Sequence, residues 1–446
     1  MPFRSMLPWR AVETAKAEVN RLGLTAAERT AGPRHAPVTQ VTLARDGVAI
    51  ADGWGKGAGD QSVASAWFEA LERHLMSAAD NRRWEPEGPV LLSAREVASQ
   101  PALGGDLVVQ RWALEFPSAV AACATYDGPV LYPTFLTDPR YFRWPVAGDD
   151  VRPYRGLLRY SSSLGTAAGS TVAEATYHGL CELIEHDGFS HALLRWYVAG
   201  NPAADEVPAM ALPGRLARRY EAAVRATQAV VHLLDVTTEL GVPVYVAISR
   251  GPRSTLVGAG ASAWASDAAE RALDELIQSC GQPAARETEA AAKLAEWPAL
   301  ERCVRLPLAE LRMRAVPLRP DAGDDSAEGG LETVERALAA RGLAHHVADI
   351  APAASLIAVT STVAPGLERF SLVRHGDPVL PTGRGWHLWP SPTTATSNSF
   401  LGEERHAKPR DNPLPTGRRP GAQHLDGLLP PGRRPARPPA RLLPPR

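Results

Sequence analysis

The chain has 446 residues, 45% hydrophobic and 22% charged, enough apolar content for a large core in one large unit with appendages or in two to three smaller domains. A formal charge of −1 excludes a general electrostatic grip on nucleic acid or on an anionic membrane. No apolar run reaches the roughly 18 residues of a membrane span, and Met1 to Arg10 has no apolar signal core, so a cytoplasmic location is expected.

In chain order, residues 10 to 30 read as a short helical lead closed by Gly32-Pro33, within an N-terminal segment of residues 1–37. Val38 to Leu43 and Val48 to Ala51 read as strands around Asp46-Gly47, a pair suited to a hairpin turn with positive φ. A helix is expected from Gln61 to Ala79, then a mixed region in which Val108 to Arg111 and Val130 to Thr134 look like strands. The glycine-rich turn Gly165 to Gly169 leads into a helix from Val172 to Val198. Strands follow at Val230 to Val236 and Val242 to Ser249, a helix at Ala265 to Cys280 and a late strand at Leu356 to Thr362. The class is therefore α/β or mixed α+β, with one catalytic domain over residues 38–407.

From Lys408 the composition changes: the last 39 residues hold 11 prolines among arginines and glycines. Such a segment buries too little surface to offset its ordering entropy, so residues 408–446 are expected to be a disordered tail. Cys123, Cys181, Cys280 and Cys303 are far apart, with no C-x-x-C pair. They read as buried free thiols rather than a zinc site or disulfide framework. Lone histidines such as His74 and His178 read as structural or surface residues.

Three apolar helices each carry a polar stripe. In the first, Ser65, Glu69, Glu72 and Arg73 fall on one side among Trp67, Phe68, Leu71 and Leu75. In the second, Glu182 and Glu185 lie at rotations of about 80° and 20° from Glu174, among Leu180, Leu183 and Ile184. In the third, Arg271, Glu275 and Gln278 stand at i, i+4 and i+7. Carboxylates gathered in an apolar setting repel one another and lose hydration, so they need cations. Mg2+ fits this demand, because it takes hard oxygen ligands and joins carboxylates to nucleotide phosphates. Lys56, Arg73 and Arg271 offer positive charge for phosphate. There is no G-x-x-x-x-G-K-[ST] loop, G-x-S-x-G elbow or H-E-x-x-H helix.

These residues resemble the YcaO family of ATP-dependent cyclodehydratases that modify ribosomally made peptides. Ser65-x-x-x-Glu69-x-x-Glu72-Arg73, preceded by Gly55-Lys56-Gly57, matches the family's first motif. Gly165 to Ala175 with Leu180-x-Glu182-x-x-Glu185 is similar to the second, and Arg271-Ala272-Leu273-x-Glu275-x-x-Gln278 to the third. Val363 to Phe370 resembles a late strand-turn element. The resemblance implies layered sheets and helices around an ATP cleft. It places Lys56, Ser65, Arg73, Glu174, His186, Arg271, Glu275 and Gln278 at the nucleotide. It places Glu69, Glu72, Glu182 and Glu185 at Mg2+.

In the family, a Cys, Ser or Thr side chain attacks the preceding amide carbonyl and ATP phosphorylates the resulting oxyanion, giving an azoline; related members form thioamides or macroamidines. A precursor peptide and a separate leader-binding partner resembling the ubiquitin-activating family are thereby implied, with a homodimer as a further option. Two features depart from the pattern. His186 stands where arginine is usual, and the proline-rich run Asn412 to Pro415 is followed by 31 more residues. Both features also admit a catalytically impaired scaffold subunit.

Overall fold

A computed structural model describes residues 4–32, 36–76, 90–250, 255–280, 285–321 and 326–390. All of them belong to one unit, Met1–Thr396. The expected tail lies outside the described residues.

The chain begins with a helix, Pro8–Arg21, and then a strand, Thr25–Ala31, which pairs antiparallel with Val38–Arg45. The expected helical lead is thus correct only in its first half. Residues 25–31 are exposed throughout, and the neighbouring strand offers them a full ladder of backbone partners that an isolated turn of helix would lack. Val38–Arg45 continues into Val48–Gly55 through Asp46-Gly47, both at positive φ (50° and 77°), as the hairpin reading required.

The first stripe-bearing helix, Asp60–Met76, lies across this three-stranded sheet. Its close seat is set by glycine: a Cβ on Gly55 would come within 1.7 Å of the Ser62 carbonyl oxygen, and one on Gly53 within 2.2 Å of that of Ala66. The third helix, Ala265–Ser279, is seated similarly on Thr255–Ala261, where a Cβ on Gly258 would meet the Leu276 nitrogen at 2.1 Å. In both cases alternate glycines on one strand face let a helix backbone approach the sheet.

Thr255–Ala261 is the edge of a five-stranded sheet that continues through Val244–Arg250, Val231–Asp235, Ala203–Glu206 and Arg312–Ala315. The last pair is parallel and the others antiparallel. The second stripe-bearing helix, Val172–Leu193, is capped by Thr171, whose side chain accepts from the Glu174 amide, and runs on as a π turn to Val198. It packs between this sheet and a three-stranded one, His346–Asp349, Ala358–Val363 and Thr166–Gly169. The expected glycine-rich turn is therefore partly a strand, because Thr166–Gly169 pairs with Ala358–Ser361.

A fourth sheet, Val90–Ser93, Val120–Thr125 and Leu131–Pro133, packs beside a helix, Leu107–Glu115, where a strand was expected at Val108 to Arg111. Asp106 caps that helix by accepting from the Val108 and Val109 amides, and Val108, Val109 and Trp112 bury one face at helical spacing. Two consecutive β-branched residues are a weaker signal than a cap followed by that period.

Cys123, Cys181 and Cys303 are buried free thiols, as expected, whereas Cys280 is exposed just beyond the third helix. Among the described residues no helix is long and apolar enough to cross a membrane.

Candidate active site

The three stripes converge. A cavity of about 400 Å³ is lined by all twelve expected site residues, contributed by the hairpin end at Lys56 and by the three helices.

Three of the acids are tied to strand backbone. The Trp54 amide donates to Glu69 Oε2 at 2.9 Å, the Ala168 amide to Glu72 Oε2 at 3.1 Å and the Gly165 amide to Glu182 Oε2 at 3.1 Å. Three strand ends thus hold three carboxylates by single amide bonds; Arg73 takes the other oxygen of Glu69, and Glu72 and Glu182 keep lone pairs for a ligand. Burial, reinforced by Glu182 and Glu69, pushes the Glu72 carboxyl well above the usual range. Burial also raises Glu182 to about 7, and it raises Glu69, where Arg73 opposes it. Glu185 is raised by burial and by Glu275. The acids therefore resist full ionisation unless cations join them.

The bases line the same cavity. Lys56 Nζ lies 2.8 Å from Glu275 Oε2, and although burial opposes its charge, Glu275 and Glu185 hold its pKa above the ordinary lysine value. Arg73 pairs with Glu69 and donates to the Asp52 carbonyl at 3.1 Å. Arg271 Nε donates to Asp267 at 2.9 Å. Gln278 is committed elsewhere: its amide donates to the Trp54 carbonyl and so ties the third helix to the hairpin.

Two histidines differ from expectation. His186 lines the cavity, but its Nδ1 is bonded to Ser371 Oγ at 2.8 Å, and burial together with His375 lowers its pKa to about 4. It is neutral across the physiological range and adds no cation at the position where arginine is usual. His178, read from sequence as structural or surface, also lines the cavity; burial and Arg4 lower it to about 4. It stands between Arg4, 2.7 Å from Nε2, and Arg271, 3.3 Å from Nδ1. Glu174 faces the same group. Burial opposes its charge, yet the His178 and Arg4 contacts hold its carboxyl well below the usual range.

Sequence reading missed Arg4, His178, Gln61 and Phe68 in this lining. His178 lies four residues from Glu174, a spacing that was available. Arg4 had no such signal, since it reaches the site from a segment 50 residues before the first motif.

Among the described residues no three His, Cys, Asp or Glu side chains already stand at metal-ligand spacing. The donor set still fits Mg2+, which takes one or two carboxylates and completes its shell with phosphate and water.

A family model described as YcaO cyclodehydratase, ATP- and Mg2+-binding, matches residues 54–368. A solved heterocyclase in complex with substrate and cofactor aligns with a TM-score of 0.58 and 18% identity, over 82% of this chain and 53% of its own. YcaO from Methanopyrus kandleri, bound with AMPPCP and Mg2+, aligns at 0.56 and 20% identity, over 85% of this chain and 97% of its own. The E. coli microcin synthetase McbBCD complex with pro-MccB17 bound aligns at 0.50 and 13%, over 77% and 88%. These likenesses establish the fold. A curated relative, an uncharacterized protein in the tfuA 3' region of Rhizobium leguminosarum bv. trifolii, is 32% identical over 105 residues, so the chain spans about a quarter of its length and a quarter of this chain is covered. With most of its length matched by the family model, and with ATP and Mg2+ as the cofactors that model describes, the chain belongs to the YcaO family.

Proposed function

We propose that this chain activates backbone amides of a ribosomally made precursor peptide, in the first instance for cyclodehydration of Cys, Ser or Thr to an azoline. The observation that carries this reading is the cavity itself, which gathers Glu69, Glu72, Glu182 and Glu185 with Lys56, Arg73 and Arg271. ATP supplies there the γ-phosphoryl group that converts an amide oxygen into a phosphate leaving group, and Mg2+ the charge that joins carboxylates to phosphates.

The residues divide the work by charge. The four glutamates would hold Mg2+, Glu72 and Glu182 through the oxygens that the strand amides leave open. Lys56, Arg73 and Arg271 neutralise phosphate, and Ser65 and Glu174 orient the nucleotide. Glu275 keeps Lys56 aimed into the cavity, and Gln278 positions the hairpin through Trp54. A leader-binding partner and the peptide itself complete the assembly in this reading.

Neutral His186 favours a second reading, an impaired scaffold subunit, because it removes one permanent phosphate cation. Incubating the chain with ATP, Mg2+, a cognate precursor peptide and its leader-binding partner separates the readings. Cyclodehydration removes one water per ring and releases ADP. A swap of oxygen for sulfur identifies a thioamide synthetase, and no ADP formation identifies a scaffold.

A further inference from the structure

Of the buried side-chain polar atoms that lack a hydrogen-bond partner among the described residues, one belongs to a residue lining the cavity: Oγ1 of Thr166. Thr166 is 3% exposed. Its amide donates to the Ser163 carbonyl at 2.9 Å, and the residue stands opposite Ser361 in the strand pairing. The hydroxyl is therefore the unexplained group, and a buried hydroxyl with no partner is unfavourable unless something fills the place.

Its position says what that is. Side chains alternate along a strand, so Thr166 shares a face with Ala168. Ala168 packs in the cluster of Trp67 and Leu71, so this face looks toward the Asp60–Met76 helix, which carries Glu72. The amides of Gly165 and Ala168, on either side, are held by Glu182 and Glu72. The hydroxyl thus stands on the short stretch of strand that the two carboxylates grip.

We propose that Thr166 Oγ1 is an oxygen partner of the Mg2+–phosphate group, accepting a hydrogen bond from a metal-bound water between Glu72 and Glu182. This rests on the nucleotide reading of the cavity. A hydroxyl suits the role because it adds a hard oxygen without adding negative charge to an already crowded acidic cluster. It also has a free O–H with which to donate to a phosphate oxygen.

The test uses the full chain, AMPPCP and Mn2+ as a spectroscopically visible substitute for Mg2+. Thr166→Val keeps the shape and removes the oxygen. It should weaken Mn2+ binding in the presence of AMPPCP by roughly ten- to a hundredfold, with a Tm equal to or above that of the wild type, since the removed hydroxyl had no partner within the protein. Thr166→Ser should restore affinity. Unchanged Mn2+ affinity in Thr166→Val overturns the proposal, as does a weakened affinity accompanied by a lower Tm or left unrescued by serine, either of which makes the residue a packing element. If the wild type itself binds no AMPPCP with Mn2+, the nucleotide reading falls and this inference with it.

Discussion

At the scale of single residues the site is governed by desolvation. Glu182, raised to about 7, holds its proton in the folded state at pH values where the unfolded chain has lost it. Stability from this group is therefore present below the ordinary carboxylate pKa and is lost as pH rises through 7. His178 and His186, both lowered to about 4, act in the other direction only below pH 6.5, where the unfolded chain takes up protons that the folded state refuses. The Tm of the nucleotide-free protein should thus rise as pH falls from 8 to 6.5. AMPPCP with Mg2+ should flatten that slope, because the metal requires ionised carboxylates, and Glu182→Gln should reduce it; all three follow from thermal melts. His186 gives a second expectation. Being neutral, it should contribute no pH dependence to nucleotide binding between pH 6 and 8, and His186→Arg should tighten AMPPCP–Mg2+ binding roughly tenfold through a charge-assisted bond. Calorimetry on both forms across that range checks it.

At the scale of elements, the helices that carry the acids are placed by what the strands beneath them lack. Gly55 faces the Ser62 carbonyl so closely that a methyl group cannot be accommodated. Gly55→Ala should push the Asp60–Met76 helix outward, lowering Tm and weakening AMPPCP–Mg2+ binding together. The same substitution at Gly23, which has positive φ and open space around its Cβ position, should cost only about 1–2 kcal/mol of stability and leave nucleotide affinity unchanged. Comparing the two variants by melting and calorimetry separates backbone strain from helix displacement. Element prediction from sequence succeeded where period and punctuation agreed, as in the hairpin at Asp46-Gly47 and the three stripe-bearing helices. It failed at Val108 to Arg111, where an Asp cap overrode β-branched propensity, and at residues 25–31, where a neighbouring strand supplied partners that no local window contains.

At the scale of the whole molecule, the cavity is closed by parts distant in sequence. The family match begins at residue 54, yet Arg4, Met6, Pro8 and Ala11 line the same cavity. The helix that follows this segment is pinned by buried Glu18, which accepts from the Ser355 hydroxyl and the Leu356 amide at 2.9 and 3.1 Å. Arg4 is partly exposed, so Arg4→Ala should leave Tm nearly unchanged while weakening AMPPCP–Mg2+ several-fold, because it removes a cation beside Glu174 and His178. A large drop in Tm with unchanged affinity would assign Arg4 to anchoring the segment instead.

The sequence by itself determined the family, the three helices and the twelve residues that meet at the cavity. Each of those signals is local: a polar stripe on an otherwise apolar helix, a glycine-rich turn before a helix, a turn that needs positive φ. The tertiary structure alone decided that His186 is neutral, that His178 belongs to the site, that Arg4 reaches it and that Thr166, in the cavity lining, carries a buried hydroxyl with no partner among the described residues. Those properties depend on how much water is excluded and on which distant groups are brought within a few ångströms, and neither is encoded in the spacing of neighbours along the chain.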